Sequence, residues 1–174
     1  AFNHQNYFDD IKGCKQYDDV LGYDASPNYF LTDGLNNTRN THNTKTFKFG
    51  VVGASDGIIR FSDFLYPYGH SVTEIVISAS VSSKCIANKQ VRTAAGLITV
   101  NTVLADKYTP NLLSKFKPTM FKVELRGTTN IALMKFEDSS VLLNFSNPET
   151  SVKYMAFAKN TADMIYFYDC PWEK

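Results

Sequence analysis

No stretch of this 174-residue chain carries a convincing helical stripe, with apolar residues recurring every three to four positions. That removes the alternating strand–helix folds on which most cofactor-dependent enzymes are built. No apolar run approaches the roughly 18 residues of a membrane-spanning helix. An excess of either charge is also missing. Lys and Arg number 18 against 17 Asp and Glu, and both signs are scattered, so nucleic acid and anionic membranes find no clustered partner. The three histidines, His4, His42 and His70, lie far apart and share no ligand spacing, so no metal site is expected. Cysteine is scarce and odd in number: Cys14, Cys85 and Cys170 permit one disulfide and leave a thiol over.

Three single pairings are open. Cys14 and Cys170 lie near the two ends, outside most of the expected strands, and a bridge between them would tie the N-terminal arm to the C-terminus. Cys85 falls in a strand pattern, where a small buried hydrophobe is the simpler role.

What the chain has in quantity is aromatic bulk and period-two patterning. Thirteen Phe and ten Tyr supply a core without help from metal or dense disulfides, since each ring can bury about 150–250 Å². In Phe121-Lys-Val-Glu-Leu-Arg126, Phe121, Val123 and Leu125 share one face while Lys122, Glu124 and Arg126 share the other. Similar runs are expected over residues 46–53, 58–61, 73–80, 84–92, 97–103, 120–126, 130–135, 141–145, 151–158 and 165–169. Between Pro110 and Pro118 a connection is expected to hold one helical turn at residues 112–115. The spacing predicts an all-β fold, an antiparallel two-sheet β-sandwich of jelly-roll type over residues 46–174.

Residues 1–45 differ. They are rich in Asn, Asp and Tyr, with turn signals at Gly13, Gly22, Ser26-Pro27-Asn28 and Asp33-Gly34, and read as an irregular arm packed on the sandwich. Asp9-Asp10 and Asp18-Asp19 read as its solvated face. Tyr23 and Tyr29 recur in it among other rings, either as staples to the domain or as a contact surface. A second aromatic segment, Tyr66-Pro-Tyr68-Gly69-His70, forms a loop between strands. Tyr66, Tyr68, His70, Tyr23 and Tyr29 are therefore the candidate ligand-binding residues, since rings on loops of a rigid scaffold suit sugars and flat ligands.

Catalytic signals are weak. His70 has Asp63 and Ser71 nearby, the residue types of a hydrolase triad, but there is no Gly-x-Ser-x-Gly elbow. Glu74, Glu124, Glu137 and Asp138 are available as carboxylates, and charged residues at alternate strand positions read as the wet face. Gly50, Gly53 and Gly57 crowd one turn, but no helix follows to cradle a phosphate. No catalytic residue and no cofactor is expected.

Starting at Ala1 without an initiator Met, the chain reads as a secreted protein after leader removal. Asn36-Asn-Thr38 and Asn144-Phe-Ser146 are N-glycosylation patterns, so Asn36 and Asn144 are expected glycan sites.

Several segments together resemble a known family. These are residues 46–52, Asp56-Gly-Ile-Ile-Arg60, Thr73-Glu-Ile-Val-Ile77, Ser82-Ser-Lys-Cys-Ile86, Met120-Phe-Lys-Val-Glu124, Asn130-Ile-Ala132, Ser151-Val-Lys-Tyr-Met-Ala-Phe-Ala158 and Ile165-Tyr-Phe-Tyr168. Their order is similar to the arthropod farnesoic acid O-methyltransferase-type domain over roughly residues 44–168. The family's Gly-Gly-Trp-Gly turn is Ser78-Ala-Ser-Val81 here, and its Trp after the later Phe is Lys122. The resemblance implies methyl transfer from S-adenosylmethionine to an isoprenoid acid. The residues themselves lack the glycine loop and acidic ribose contact which that cofactor generally meets.

The residues therefore point first to a secreted, non-catalytic binding module for a carbohydrate, a small ligand or a partner protein. Carriage of an apolar molecule such as an isoprenoid or pigment between the sheets is the second reading, and the methyltransferase the third. Structural assembly in a matrix, as a homo-oligomer or through the odd cysteine, is the fourth.

Overall fold

The structure, a computed structural model, describes residues 7–80 and 83–172. His4, and the Val81 and Ser82 ends of two compared motifs, lie outside the described residues. After a 3-10 turn at Tyr7–Ile11 come β1 (Lys15–Gln16), β2 (Leu21–Gly22), β3 (Phe30–Leu31) and β4 (Arg39–Thr41). The long strands follow: β5 (Thr44–Gly53), β6 (Gly57–Ser62), β7 (Ser71–Ile77), β8 (Lys84–Arg92) and β9 (Ile98–Tyr108). Then come β10 (Thr119–Arg126), β11 (Asn130–Lys135), β12 (Val141–Ser146), β13 (Tyr154–Lys159) and β14 (Met164–Tyr168).

They form two sheets. The first runs β1-β14-β5-β10-β11-β12 with β4 beside β5; the second runs β2-β13-β6-β7-β8-β9 with β3 beside β13. Among the described residues all pairings are antiparallel except β13 with β2. Alternation governs the core as the sequence predicts. Phe121, Val123 and Leu125 of β10 point inward with Phe47, Phe49 and Val51 of β5, and meet Ile59, Phe61, Ile75 and Phe157 of the second sheet. Each large side chain so buried contributes about 1.5–3 kcal/mol.

The arm is laced into both sheets by strands of two or three residues: β1 and β4 extend the first, β2 and β3 the second. The Cys14–Cys170 disulfide fixes its start beside the end of β14, and Cys85 is the free, fully buried thiol. Several expectations change: the strand expected over 73–80 ends at Ile77, and the one expected over 151–158 begins at Tyr154. The helical turn expected at residues 112–115 does not form, because the Gly53 amide donates to the Ser114 carbonyl at 3.0 Å and Leu113 drops into the core, which keeps this connection open. And β9 runs on to Tyr108, since β8 pairs with it along its whole length around register shifts at Ala87/Asn88 and Val91/Arg92.

Gly50 and Gly53 serve packing rather than a phosphate. A Cβ on Gly53 would stand 2.1 Å from Met164 Sδ, and one on Gly50 would stand 2.7 Å from Met120 Sδ.

Candidate functional site

The second sheet has an outer face that is polar yet dry. Arg60, Glu74 and Asn88 are direct cross-strand partners on β6, β7 and β8, so their side chains stand in one row. Gln90 and Arg92 follow on the same side of β8, two and four residues along. Glu74 was read from the sequence as part of a wet face. The structure corrects this: Glu74 and Gln90 are 0% exposed, Arg60 1%, and Asn88 and Arg92 7%. The cover is the arm. β2 pairs with one end of β13 and β3 with the other, so residues 23–29 between them are thrown across the sheet's outer face.

The interior of this seam is an ion network. Arg60 Nε donates to Glu74 Oε2 at 2.9 Å, and Arg60 Nη2 to the Tyr23 carbonyl at 2.8 Å. Tyr23 OH donates to Glu74 Oε1 at 2.9 Å, and Gln90 Nε2 reaches Asn101 Oδ1 at 3.0 Å. Arg92 Nε donates to Gln90 Oε1 at 2.8 Å, and its Nη1 to the Gly96 carbonyl at 3.1 Å and to Asp24 Oδ1 at 3.3 Å. Both guanidinium groups lie over the Tyr23 ring, Arg60 at 5.1 Å and Arg92 at 4.5 Å from its centre. Three buried atoms in the seam have no hydrogen-bond partner among the described residues: Arg60 Nη1, Arg92 Nη2 and Asn88 Oδ1. Orphaned buried donors and acceptors are costly, so such atoms call for an explanation.

Burial, reinforced by the Glu74 charge, pushes the Tyr23 hydroxyl pKa up. The buried Tyr29 is also pushed up, chiefly by desolvation and partly by Tyr68 and Glu74, against the pull of Arg60 and Arg92. Of the five candidate residues, Tyr23 lies directly on these charges, Tyr29 is buried within their influence, and Tyr68 is near enough to Tyr29 to act on it. The other two stand apart: Tyr66 is 76% exposed on its loop, and His70 stacks on Phe64 at 4.3 Å. Arg60, Glu74, Gln90 and Arg92 were missed. Their signal was residue type on matching parity of neighbouring strands.

The other constellations do not converge. The Asp63 carboxylate accepts from the Ser151 amide at 2.9 Å and from its hydroxyl, while Ser71 faces Thr150, so no triad forms with His70. Glu124 pairs with Arg126 at 3.2 Å, and Glu137 and Asp138 are exposed, far from Glu74 in the fold. Among the described residues no three His, Cys, Asp or Glu side chains cluster as metal ligands. A cavity of about 510 Å³ opens at one end of the sandwich, lined by Leu112, Met120, Phe136, Asp10, Lys117 and Lys135 among others.

Residues 23–172 match the model of the family described as farnesoic acid O-methyl transferase, so the chain belongs to that family. The match starts within the arm, some twenty residues before the resemblance read from the strands. No curated protein matches the chain. Among solved structures, the Caenorhabditis elegans galectin LEC-6 is similar in layout, with a TM-score of 0.44 and 9% identity over 82% of this chain and 87% of that one.

Proposed function

We propose that this chain is a secreted, non-catalytic binding module that takes a carbohydrate on the outer face of its second sheet. The observation that carries the reading is the buried Arg60–Glu74–Gln90–Arg92 row beneath the Tyr23 ring, with guanidinium N–H groups unpaired. Unpaired guanidinium N–H groups offer directed hydrogen bonds to hydroxyls, and an aromatic ring offers a face to a sugar. A purely structural patch at this position would be cheaper to build from apolar residues.

Secretion fits the Cys14–Cys170 bridge, which persists in oxidising compartments. Asn36 and Asn144 are exposed, the first beside β4 and the second on the outward side of β12, so both have room for the glycans we assign to them. A partner protein or a second copy would find β9, whose long edge exposes Ile98, Val100, Val103 and Tyr108.

The apolar-carrier reading loses ground to the core itself. The rings it would use face one another, Phe49 with Phe121 at 5.4 Å and Phe157 with Tyr166 at 4.5 Å. An apolar guest would be left with the end cavity. The methyltransferase reading rests on the family name, and calorimetric titration with S-adenosylmethionine tests it directly.

The test of the carbohydrate reading is an amide-resolved NMR titration with a panel of mono- and oligosaccharides. Shifts confined to Tyr23, Asn88, Gln90, Asn101 and their neighbours are the expected result. A panel that moves none of them would overturn the assignment.

A further inference from the structure

The charges in the seam do not balance without the strap that covers it. Two buried guanidinium groups, Arg60 and Arg92, share one buried carboxylate, Glu74. Glu74 Oε2 sits 2.9 Å from Arg60 Nε but 3.7 Å from Arg92 Nη2, so Arg60 is the better served of the two. The second counter-charge comes from Asp24, whose carboxylate stands 3.3 Å from Arg92 Nη1. Asp24 differs from Glu74 in one respect that matters: its side chain is 79% exposed, against 0% for Glu74. It therefore reaches Arg92 from the solvent side, over the rim of the seam. An exposed ion pair of this kind is worth only about 0–1 kcal/mol, so it is readily exchanged. Arg92 is otherwise held rigidly, by Gln90 through Nε and by the Gly96 carbonyl through Nη1, while Nη2 makes no hydrogen bond among the described residues and has only the 3.7 Å approach of Glu74. Gly96 takes a positive φ of 85°, and a Cβ there would lie 2.0 Å from the Asp24 carbonyl, so the β8–β9 hairpin is built to let the strap lie close.

We infer that Arg92 is the receptor for an oxyanion on the ligand, and that Asp24 is its internal stand-in. The inference rests on the carbohydrate reading above and narrows it to acidic saccharides. A carboxylate or sulfate entering from solvent replaces the Asp24 carboxylate at Nη1, engages Nη2, which lacks a hydrogen bond, as the second tooth of the fork, and neutralises the positive charge left when Asp24 departs. The Tyr23 ring beside it would carry the sugar body. The chemistry is the same for a uronic or sialic acid as for a sulfated sugar, and the test separates them.

The experiment is an NMR titration of the whole chain at fixed ionic strength. The probes are glucuronic acid, N-acetylneuraminic acid and N-acetylglucosamine-6-sulfate, with glucose and N-acetylglucosamine as neutral controls. The variants are Asp24→Asn and Arg92→Lys, each checked for cooperative thermal unfolding. We expect at least one acidic sugar to bind about tenfold more tightly than its neutral counterpart, the factor that one charge-assisted hydrogen bond supplies. Which acid wins identifies the oxyanion. Asp24→Asn should tighten that binding several-fold by removing the competitor, and Arg92→Lys should abolish the preference for acid, because an ammonium cannot form the fork. Neutral sugars binding as tightly as acidic ones, or Asp24→Asn leaving the acidic affinity unchanged, would overturn the inference while leaving the carbohydrate reading in place. Failure of every sugar to shift the seam would overturn both.

Discussion

Arg60 and Glu74 face each other across neighbouring strands, Nε to Oε2 at 2.9 Å, at 1% and 0% side-chain exposure on what is topologically the outside of a sheet. Among the described residues Glu74 is the one buried anion beside both guanidinium groups, and it also accepts from Tyr23. Breaking a buried ion pair by removing one partner costs about 3–5 kcal/mol, because the remaining charge is left uncompensated. Glu74→Gln keeps the shape and removes the charge, so it should lower stability by about that amount in a urea titration. A loss under about 1 kcal/mol would mean that solvent reaches the seam and that the arm does not seal it.

Asp169 clamps the chain ends. Burial works to raise its carboxyl pKa, but the amides of Asn36 and Asn37 and the Lys15 ammonium outweigh it and hold the group below its ordinary value of 3.8. A carboxylate depressed in the folded state stabilises fully above the unfolded value, and that contribution is lost as pH falls through the folded one. The melting temperature should therefore drop below about pH 4. Asp169→Asn, which tolerates the residue's φ of 51°, should flatten that acid limb and cost about 1–3 kcal/mol at neutral pH. An unchanged limb would place the acid-sensitive group elsewhere.

The Cys14–Cys170 bridge spans 156 residues of sequence. In the chain-entropy model a loop of that length contributes about 5 kcal/mol by constraining the unfolded chain. Reduction, or the Cys14→Ser/Cys170→Ser pair, should lower the unfolding midpoint accordingly and speed amide exchange in β1, which is only two residues long. Stability indifferent to reductant would show that β1 and Asp169 hold the arm by themselves.

Tyr166 joins the two sheets through its hydroxyl, which donates to the Ala158 carbonyl at 2.6 Å and accepts the Ile58 amide at 2.9 Å. Tyr166→Phe leaves both backbone groups buried without a partner, which should cost about 1–3 kcal/mol. The wild-type hydroxyl, whose pKa burial raises, should stay unionised up to alkaline unfolding in ultraviolet titration. Ionisation at an ordinary tyrosine pH would show that the sheets part there.

The architecture was legible where a strand has one wet side. On β10 the inward Phe121, Val123 and Leu125 alternate with Lys122, Glu124 and Arg126, and that pattern alone places the strand and its face. Strands β1 to β4 left no trace, because two or three residues hold no period and their pairing depends on β5, β13 and β14 far away in sequence. The 104–108 end of β9 was hidden because the register shifts opposite Ala87/Asn88, and beyond it Leu104 and Ala105 are both half-buried while residues 106–108 are all exposed, so no alternation continues the run. The seam was half legible. Tyr23 and Tyr29 stood out in the arm, but Arg60, Glu74 and Arg92 looked like solvated positions, since charge on a strand says nothing of what the chain later lays over it. The pairing of β2 and β3 with the two ends of β13, and the bonds of Tyr23 to Glu74 and Arg60, reveal that cover.

Cys85 decides between assembly through a thiol and assembly through surfaces. It is 0% exposed, its amide donates to Thr109 Oγ1 at 3.0 Å, and the same Thr109 hydroxyl donates to its sulfur at 3.1 Å. Burial pushes its pKa up, and the thiolate that attacks disulfides and reagents is correspondingly rare. A matrix built by an intermolecular bridge through the odd cysteine would need this strand to open. Without reductant, Ellman's reagent should therefore titrate no thiol in the native chain and one per chain after unfolding in guanidinium. One fast thiol in the native protein would show that β8 opens under native conditions, and oligomers linked through Cys85 would then return as a real alternative to contacts along the exposed edge of β9.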